Sequence, residues 1–368
     1  MIKKLMFLNG IATIAAVFHH SVHWIMISLF MWQERILPAG RYGFIPGETI
    51  TIWFFRITDQ FAGVAVPLFL FVSGFFYGFA NNRTTTKFDI RWIASRIRYI
   101  WIPFAVWSSI ILVLRVIEGS AFSLVQLVDI YIWGKAAGPY YYIPLIIQYI
   151  ILSPFLFYLL KRFPRQTFSM AILIQVAASL TWYTPFLNIS SPGLEPAINF
   201  VKAWHVPHNL VWFTGGMCLY LYQSQIIAGL KKIKYFILAT LVVLVILTQL
   251  ELSQFIQYYQ KDWIYSQSSL LTRILYFALI LLIIVFQDSI QKNSWIERLG
   301  TKSFGVYLAH ILFLEVFARA LYHVFPQLMR FTPVFWSLLM VFALAGPLIL
   351  MRVAEIKPIK RIYPYVFG

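Results

Sequence analysis

An all-α, polytopic transmembrane helical bundle is the fold class this sequence predicts, and three observations predict it. The 368 residues are 60% hydrophobic but only 12% charged, about half the charged share of a soluble domain. A chain this apolar must have lipid as its solvent over most of its surface. Its apolar stretches match the roughly 20 residues that cross a bilayer, and they lack the period-2 alternation of strands. Backbone groups in hydrocarbon must be satisfied internally, so these stretches are helices.

Ten spans follow in order, near 5–32, 61–80, 99–117, 139–160, 168–183, 204–223, 233–250, 270–286, 304–323 and 332–352. The first is long and the fifth short, which points to tilt or kinks. The opening MIKKLMFLNGIATIAAVF has the outline of a signal peptide. No small-x-small cleavage site closes it, and His19, His20 and His23 interrupt its end before apolar sequence resumes through Trp32. It is therefore read as the first span. With the N-terminus in the cytoplasm, inner segments hold 20 of the 30 Lys+Arg and 4 of the 13 Asp+Glu. That positive-inside pattern places both termini in the cytoplasm. It also accounts for the net charge of +17 without nucleic acid, since no basic tract interleaved with aromatics lies outside the spans.

Cys218 is the only cysteine, which excludes an intramolecular disulfide and argues against a cysteine-ligated metal. No repeat of fixed period is present, and residues 1–368 read as a single membrane-embedded domain. The segment 33–60 carries Glu34, Arg35, Arg41, Glu48, Arg56 and Asp59. It reads as an outer loop, either a lid or acceptor site or a solvated connector.

The sequence FHHSVHW over 18–24 lies deep in the first span. Ionisable residues inside a membrane are costly and mark functional sites by default. His19 and His23 are four apart and His20 and His23 three apart, so each pair shares a helix face. Asn9 stands eleven residues before His20, almost three turns and about 16 Å along the axis. Three readings stay open. One histidine is a general base; the cluster binds a metal, although no acidic residue or cysteine is close in sequence; or the rings only hydrogen-bond to neighbouring helices. The clustering favours the first.

Gly74 and Gly78, in VPLFLFVSGFFYGF over 66–79, have the small-xxx-small spacing of close helix packing. Ser73 beside them is a candidate nucleophile with no base placed next to it. Arg83, Lys87, Arg91, Arg96 and Arg98 then cluster within 16 residues. Positive-inside bias explains much of this charge, but Arg96 and Arg98 sit at the membrane boundary beside Tyr99 and Trp101. Guanidinium groups grip phosphates bidentately, which suits a phosphorylated cytosolic ligand or a lipid head group. Glu315 and Arg319, at i and i+4, read as an ion pair.

In their order and spacing, four stretches resemble the integral-membrane acyltransferase-3 family. Asn9-Gly10-Ile11-Ala12 through Phe18-His19-His20 is similar to its first span, where a basic residue precedes the catalytic histidine by eleven. Phe69 through Phe75 resembles its FFxxSGF stretch. Arg91 through Pro103 resembles the basic opening of its third span. Leu299-Gly300 through Ser303, Gly305, Tyr307, Leu308 and His310 resembles LGxxSxxxYLxH. Pro139 through Leu145 and Leu210 through Phe213 are weaker echoes of its WF-containing spans.

The resemblance implies a bacterial inner-membrane enzyme of about ten helices. It would take a cytosolic acyl-CoA, acetyl-CoA by the family's usual donor, and acylate a hydroxyl of a sugar or exported glycan, without a metal. It implies His20 as catalytic base with His19 and Asn9 beside it in the motif. Arg91, Arg96 and Arg98, with Ser73, would belong to the CoA site, while Ser303, Tyr307, His310 and His23 would shape the core around it. Asn9 departs from the family's basic residue, and the doubled histidine leaves two registers. His20 is preferred because Gly10-Ile11-Ala12 then also match. Membrane lipids and a carbohydrate acceptor are the expected partners. The alternatives are a transporter of a lipid-linked sugar or polymer, whose sign would be repeated broken helices, and a catalytically silent sensor.

Overall fold

The computed structural model describes residues 2–32, 50–83, 90–187, 193, 195, 196, 198, 205–261, 263, 264, 267–286 and 294–368. Among these residues there is no strand. In chain order the helices are α1 (Ile2–Phe30), α2 (Ile50–Ala62), α3 (Ala65–Arg83), α4 (Ile90–Ile117), α5 (Leu124–Trp133), α6 (Tyr142–Arg162) and α7 (Pro164–Leu180). They continue with α8 (His205–Leu221), α9 (Gln223–Tyr259), α10 (Leu270–Phe286), α11 (Ser294–Thr301), α12 (Ser303–Val324), α13 (Thr332–Ala354) and α14 (Tyr363–Val366). Every one of the ten expected spans falls on a helix. Among the described residues, seven helical stretches are long and apolar enough to cross a membrane. The spans on α7, α8 and α10 fall on helices of 17 residues.

The segment read as an outer loop differs. Residues 50–62 form α2, whose buried stripe is Ile52, Phe55, Arg56, Asp59 and Gln60. That 3–4 spacing is helical, but the two charges on the stripe depress its hydropathy and hide it from a search for apolar runs. Glu34, Arg35, Arg41, Glu48, Lys87 and Lys292 lie outside the described residues. The short helix α5 was also not expected. A capping box between Ser123 and Gln126 starts it, and Gly134 in the left-handed region (φ 68°) ends it, satisfying terminal groups that its 10 residues could not satisfy alone.

Contacts divide the chain into two compact units. The first comprises Met1–Leu8, Val64–Asp89 and Gln148–Ser294, the second Asn9–Gly63, Ile90–Ile147 and Trp295–Gly368. In the first unit, α3 and α8 meet backbone to backbone. A Cβ on Gly74 would collide with the Phe213 carbonyl, and one on Gly216 with the Phe71 carbonyl. The expected glycine packing at Gly74 is therefore present, with a reciprocal glycine on α8. The Tyr149 ring stacks on Phe213 at 4.5 Å while its hydroxyl donates to the Val206 carbonyl at 2.9 Å. Deeper polar groups are also answered. Arg273 donates to the His208 carbonyl, Val211 N–H to Gln175 at 2.9 Å, and Tyr183 to Glu251.

In the second unit, Trp336 of α13 receives the Phe18 ring of α1 at 5.2 Å and the Phe55 ring of α2 at 5.9 Å. Two tyrosines exchange bonds between α12 and the turn over 138–141. Tyr140 donates to the Leu308 carbonyl at 2.6 Å, and Tyr307 to the Pro139 carbonyl. At the far end of α4, Arg115 grips Glu315 of α12 bidentately at 2.6 and 2.8 Å. Arg319 adds the expected i, i+4 bond to the same carboxylate at 2.8 Å. Lys302, just before α12, bonds Glu355, just after α13, at 2.9 Å and holds that carboxyl below its ordinary range. The sign follows: this exposed pair contributes above the unfolded carboxyl pKa and is lost as pH falls through the folded one.

Two stability measurements check this packing. Gly74→Leu forces a side chain into the α3–α8 seam and should cost about 1–3 kcal/mol, read as a lowered Tm of the detergent-purified protein. Glu315→Gln should cost about 1–2 kcal/mol, because both guanidiniums keep partial solvent access. The pair replacement Arg115→Met with Glu315→Leu should recover part of that loss.

Candidate active site

The histidines of α1 belong to the second unit, and α2 supplies their carboxylate. His19 Nδ1 lies 2.6 Å from Asp59 Oδ1, with the two side chains only 14% and 8% exposed. At that burial an unpaired charge would be costly, so each group stabilises the other. The carboxylate accepts, so Nδ1 carries the proton and the Nε2 lone pair is the ring's remaining basic site.

The His20 ring lies 5.0 Å from the His19 ring and 5.4 Å from that of His310. His310 is fully buried on α12. Its Nδ1 faces two carbonyls, Tyr307 at 2.6 Å and Val306 at 3.2 Å. Carbonyls only accept, so Nδ1 again holds the proton. Its Nε2 is buried and makes no hydrogen bond among the described residues. The result is a chain of imidazoles, His19, His20 and His310, backed by Asp59 at one end and by α12 carbonyls at the other.

Ser303, Tyr307 and His310 are spaced by four and three, so they share a face of α12, and all three are buried. The Tyr307 ring sits 6.0 Å from His310, and its hydroxyl is committed to Pro139, which makes it a packing group. His23 is exposed and lies edge-on to Trp24, ring centroids 6.4 Å apart. Asn9 is about three turns back along α1 from His20. It adjoins Gly10, where a Cβ would collide with the Ile296 carbonyl of α11. Ser73 lies on α3 in the first unit.

Arg91, Arg96 and Arg98 occupy the exposed first turns of α4. At about 100° per residue, Arg91 and Arg98 share a face while Arg96 points to another side. Arg96 lies over the Trp92 ring at 5.7 Å. Arg96 and Arg98 therefore lie on different faces of α4.

Asp59 falls in the segment that the sequence predicts as an outer loop, and the structure places it on α2. The legible signal was its spacing from Phe55 and Ile52. Arg273, inside an expected span, was not singled out, although an ionisable residue there is itself a signal. Among the described residues no set of three His, Cys, Asp or Glu side chains is arranged to hold a metal.

Asp59→Ala removes the acceptor of a largely buried ring N–H. It is expected to lower stability by about 1–3 kcal/mol, more than His23→Ala at its exposed position, as denaturant unfolding in detergent would show. Comparison with known proteins gives one positive result. The family described as an acyltransferase domain, acyltransferase type 3, matches residues 3–352, a stretch that includes His19, His20, Asp59 and His310. No curated protein and no solved structure matches.

Proposed function

The chain belongs to this acyltransferase family, and from that premise we propose that it moves an acyl group from a cytosolic acyl-CoA to a hydroxyl of a sugar or exported glycan. Acetyl-CoA is the donor the family resemblance implies, and a bacterial inner membrane the location. Both termini are assigned to the cytoplasm on the charge bias of the inner segments. The observation that carries the reading is the 2.6 Å contact between His19 of α1 and the buried Asp59 of α2.

The roles follow from that contact. Asp59 orients His19 and stabilises the imidazolium that forms, so His19 Nε2 is the base. His20 and His310 complete a polar path in an otherwise apolar interior. The acceptor O–H loses its proton to Nε2 as its oxygen attacks the thioester carbonyl. The new C–O bond replaces the C–S bond, and the proton passes on to the departing CoA sulfur. This order of roles, orienting carboxylate, imidazole and attacking hydroxyl, is that of other acyl-transfer sites. Arg91 and Arg98, on one side of the first turns of α4, are the groups assigned to the CoA phosphates.

Transfer of label from radioactive acetyl-CoA to a crude envelope-glycan extract, by protein in liposomes, tests the reading. His19→Ala and Asp59→Asn should each lose about 10²–10⁴ of the rate, with the fold intact by thermal unfolding. Loss in His20→Ala alone would transfer the base to His20. No label incorporation, no thioester hydrolysis and no stabilisation by CoA would contradict the enzyme reading in favour of a transporter.

A further inference from the structure

We propose that the first unit binds an anionic phospholipid, with one acyl chain in the cavity framed by α7, α8, α9 and α10 and its phosphate at Arg165. The cavity has a volume of about 650 Å³, within the roughly 300–1,000 Å³ of small-molecule sites. Its deep part is apolar, lined by Phe71, Phe168, Cys218, Phe277 and Leu281. The polar lining residues lie together at helix ends. Arg165 is in the first turn of α7, Tyr222 directly precedes α9, and Gln225 is in its first turn. Along α10 the lining runs from Phe277 to Ile284, about 10 Å of depth. A site polar at one end and apolar along its depth matches a lipid entering from one leaflet.

Charge selects the head group. Arg165 is exposed and makes no hydrogen bond or ion pair among the described residues. Tyr222 is already committed to the Leu160 carbonyl at 3.1 Å, so the guanidinium is the cation left at the mouth. Lys161 and Arg162 precede it, and Lys231, Lys232 and Lys234 follow the lining residue Leu230 on α9. From Arg162 to Lys234 the one acidic residue is Glu195. A zwitterionic head group would bring a second cation into this basic field, whereas an anionic one brings net attraction. The occupant is therefore an anionic phospholipid of the inner leaflet. The proposal does not depend on the acyl chemistry.

The sole cysteine, Cys218, lines this cavity and reports its occupancy. Full-length protein, delipidated in detergent, would be returned to micelles containing phosphatidylglycerol, phosphatidylcholine or palmitoyl-CoA, and the rate of Cys218 alkylation by N-ethylmaleimide followed. Phosphatidylglycerol should slow alkylation several-fold more than phosphatidylcholine, and Arg165→Gln should remove that difference. In parallel, Gly215→Leu, where an added Cβ meets only ordinary contacts with the Phe71 and Phe168 rings, should reduce the phosphatidylglycerol retained in native mass spectra. Equal protection by the two phospholipids, or selectivity unchanged in Arg165→Gln, would overturn the proposal. Stronger protection by palmitoyl-CoA would also overturn it, by making a thioester the occupant. Because none of these readouts measures transfer, their failure is distinguishable from failure of the acyltransferase reading.

Discussion

A proton-binding group inside a bilayer has to find its partner within the protein, and the contact between His19 and Asp59 is where this chain meets that demand. Water is scarce at that depth, so a lone imidazolium or carboxylate would be driven to its neutral form. Held at 2.6 Å, each group gives the other a hydrogen-bond partner inside the protein. Aromatic packing in the second unit supports this contact. Phe18, one residue before His19, and Phe55, one turn before Asp59, both pack on Trp336, so α1 and α2 are fixed against the same side chain. Histidine 310 closes the other side of His20, with its Nδ1 occupied by carbonyls of its own helix.

The first unit solves a different problem, that of packing helices when lipid is as apolar as the side chains. Its solution is close backbone approach. Gly74 and Gly216 each admit a carbonyl of the facing helix, where van der Waals contact replaces the hydrophobic drive that operates in water. Two of the buried polar side chains of this unit bond to backbone. Arg273 reaches the His208 carbonyl and Gln175 takes the Val211 N–H, which satisfies both without exposing charge to hydrocarbon.

Much of the architecture was legible because hydropathy is a one-dimensional signal that a bilayer enforces. Each expected span falls on a helix. The histidine cluster was legible for the same reason, since polar residues stand out against an apolar run. What stayed hidden was of two kinds. Asp59 sits on a helix whose buried stripe contains its own charges, so the feature that gives it a role also lowers the signal of its helix. Partners far apart in the chain were hidden as well. The i, i+4 bond of Glu315 to Arg319 was readable, but the bidentate grip of Arg115, 200 residues earlier, has no trace in local spacing. Arg96 and Arg98, two apart in sequence, lie on different sides of α4 because successive helical residues turn by about 100°.

The central claim is that His19 and Asp59 act as one unit in acyl transfer, and a double-mutant cycle on thioester turnover tests it most directly. Release of CoA from acetyl-CoA, in the presence of acceptor, would be measured for wild type, His19→Ala, Asp59→Asn and the double variant. If the two work as a unit, the double variant is no slower than His19→Ala alone, because a carboxylate with no imidazole to orient has nothing left to lose. Multiplicative losses, each substitution slowing turnover by the same factor whether or not the other is present, would contradict the account and separate Asp59 from the chemistry.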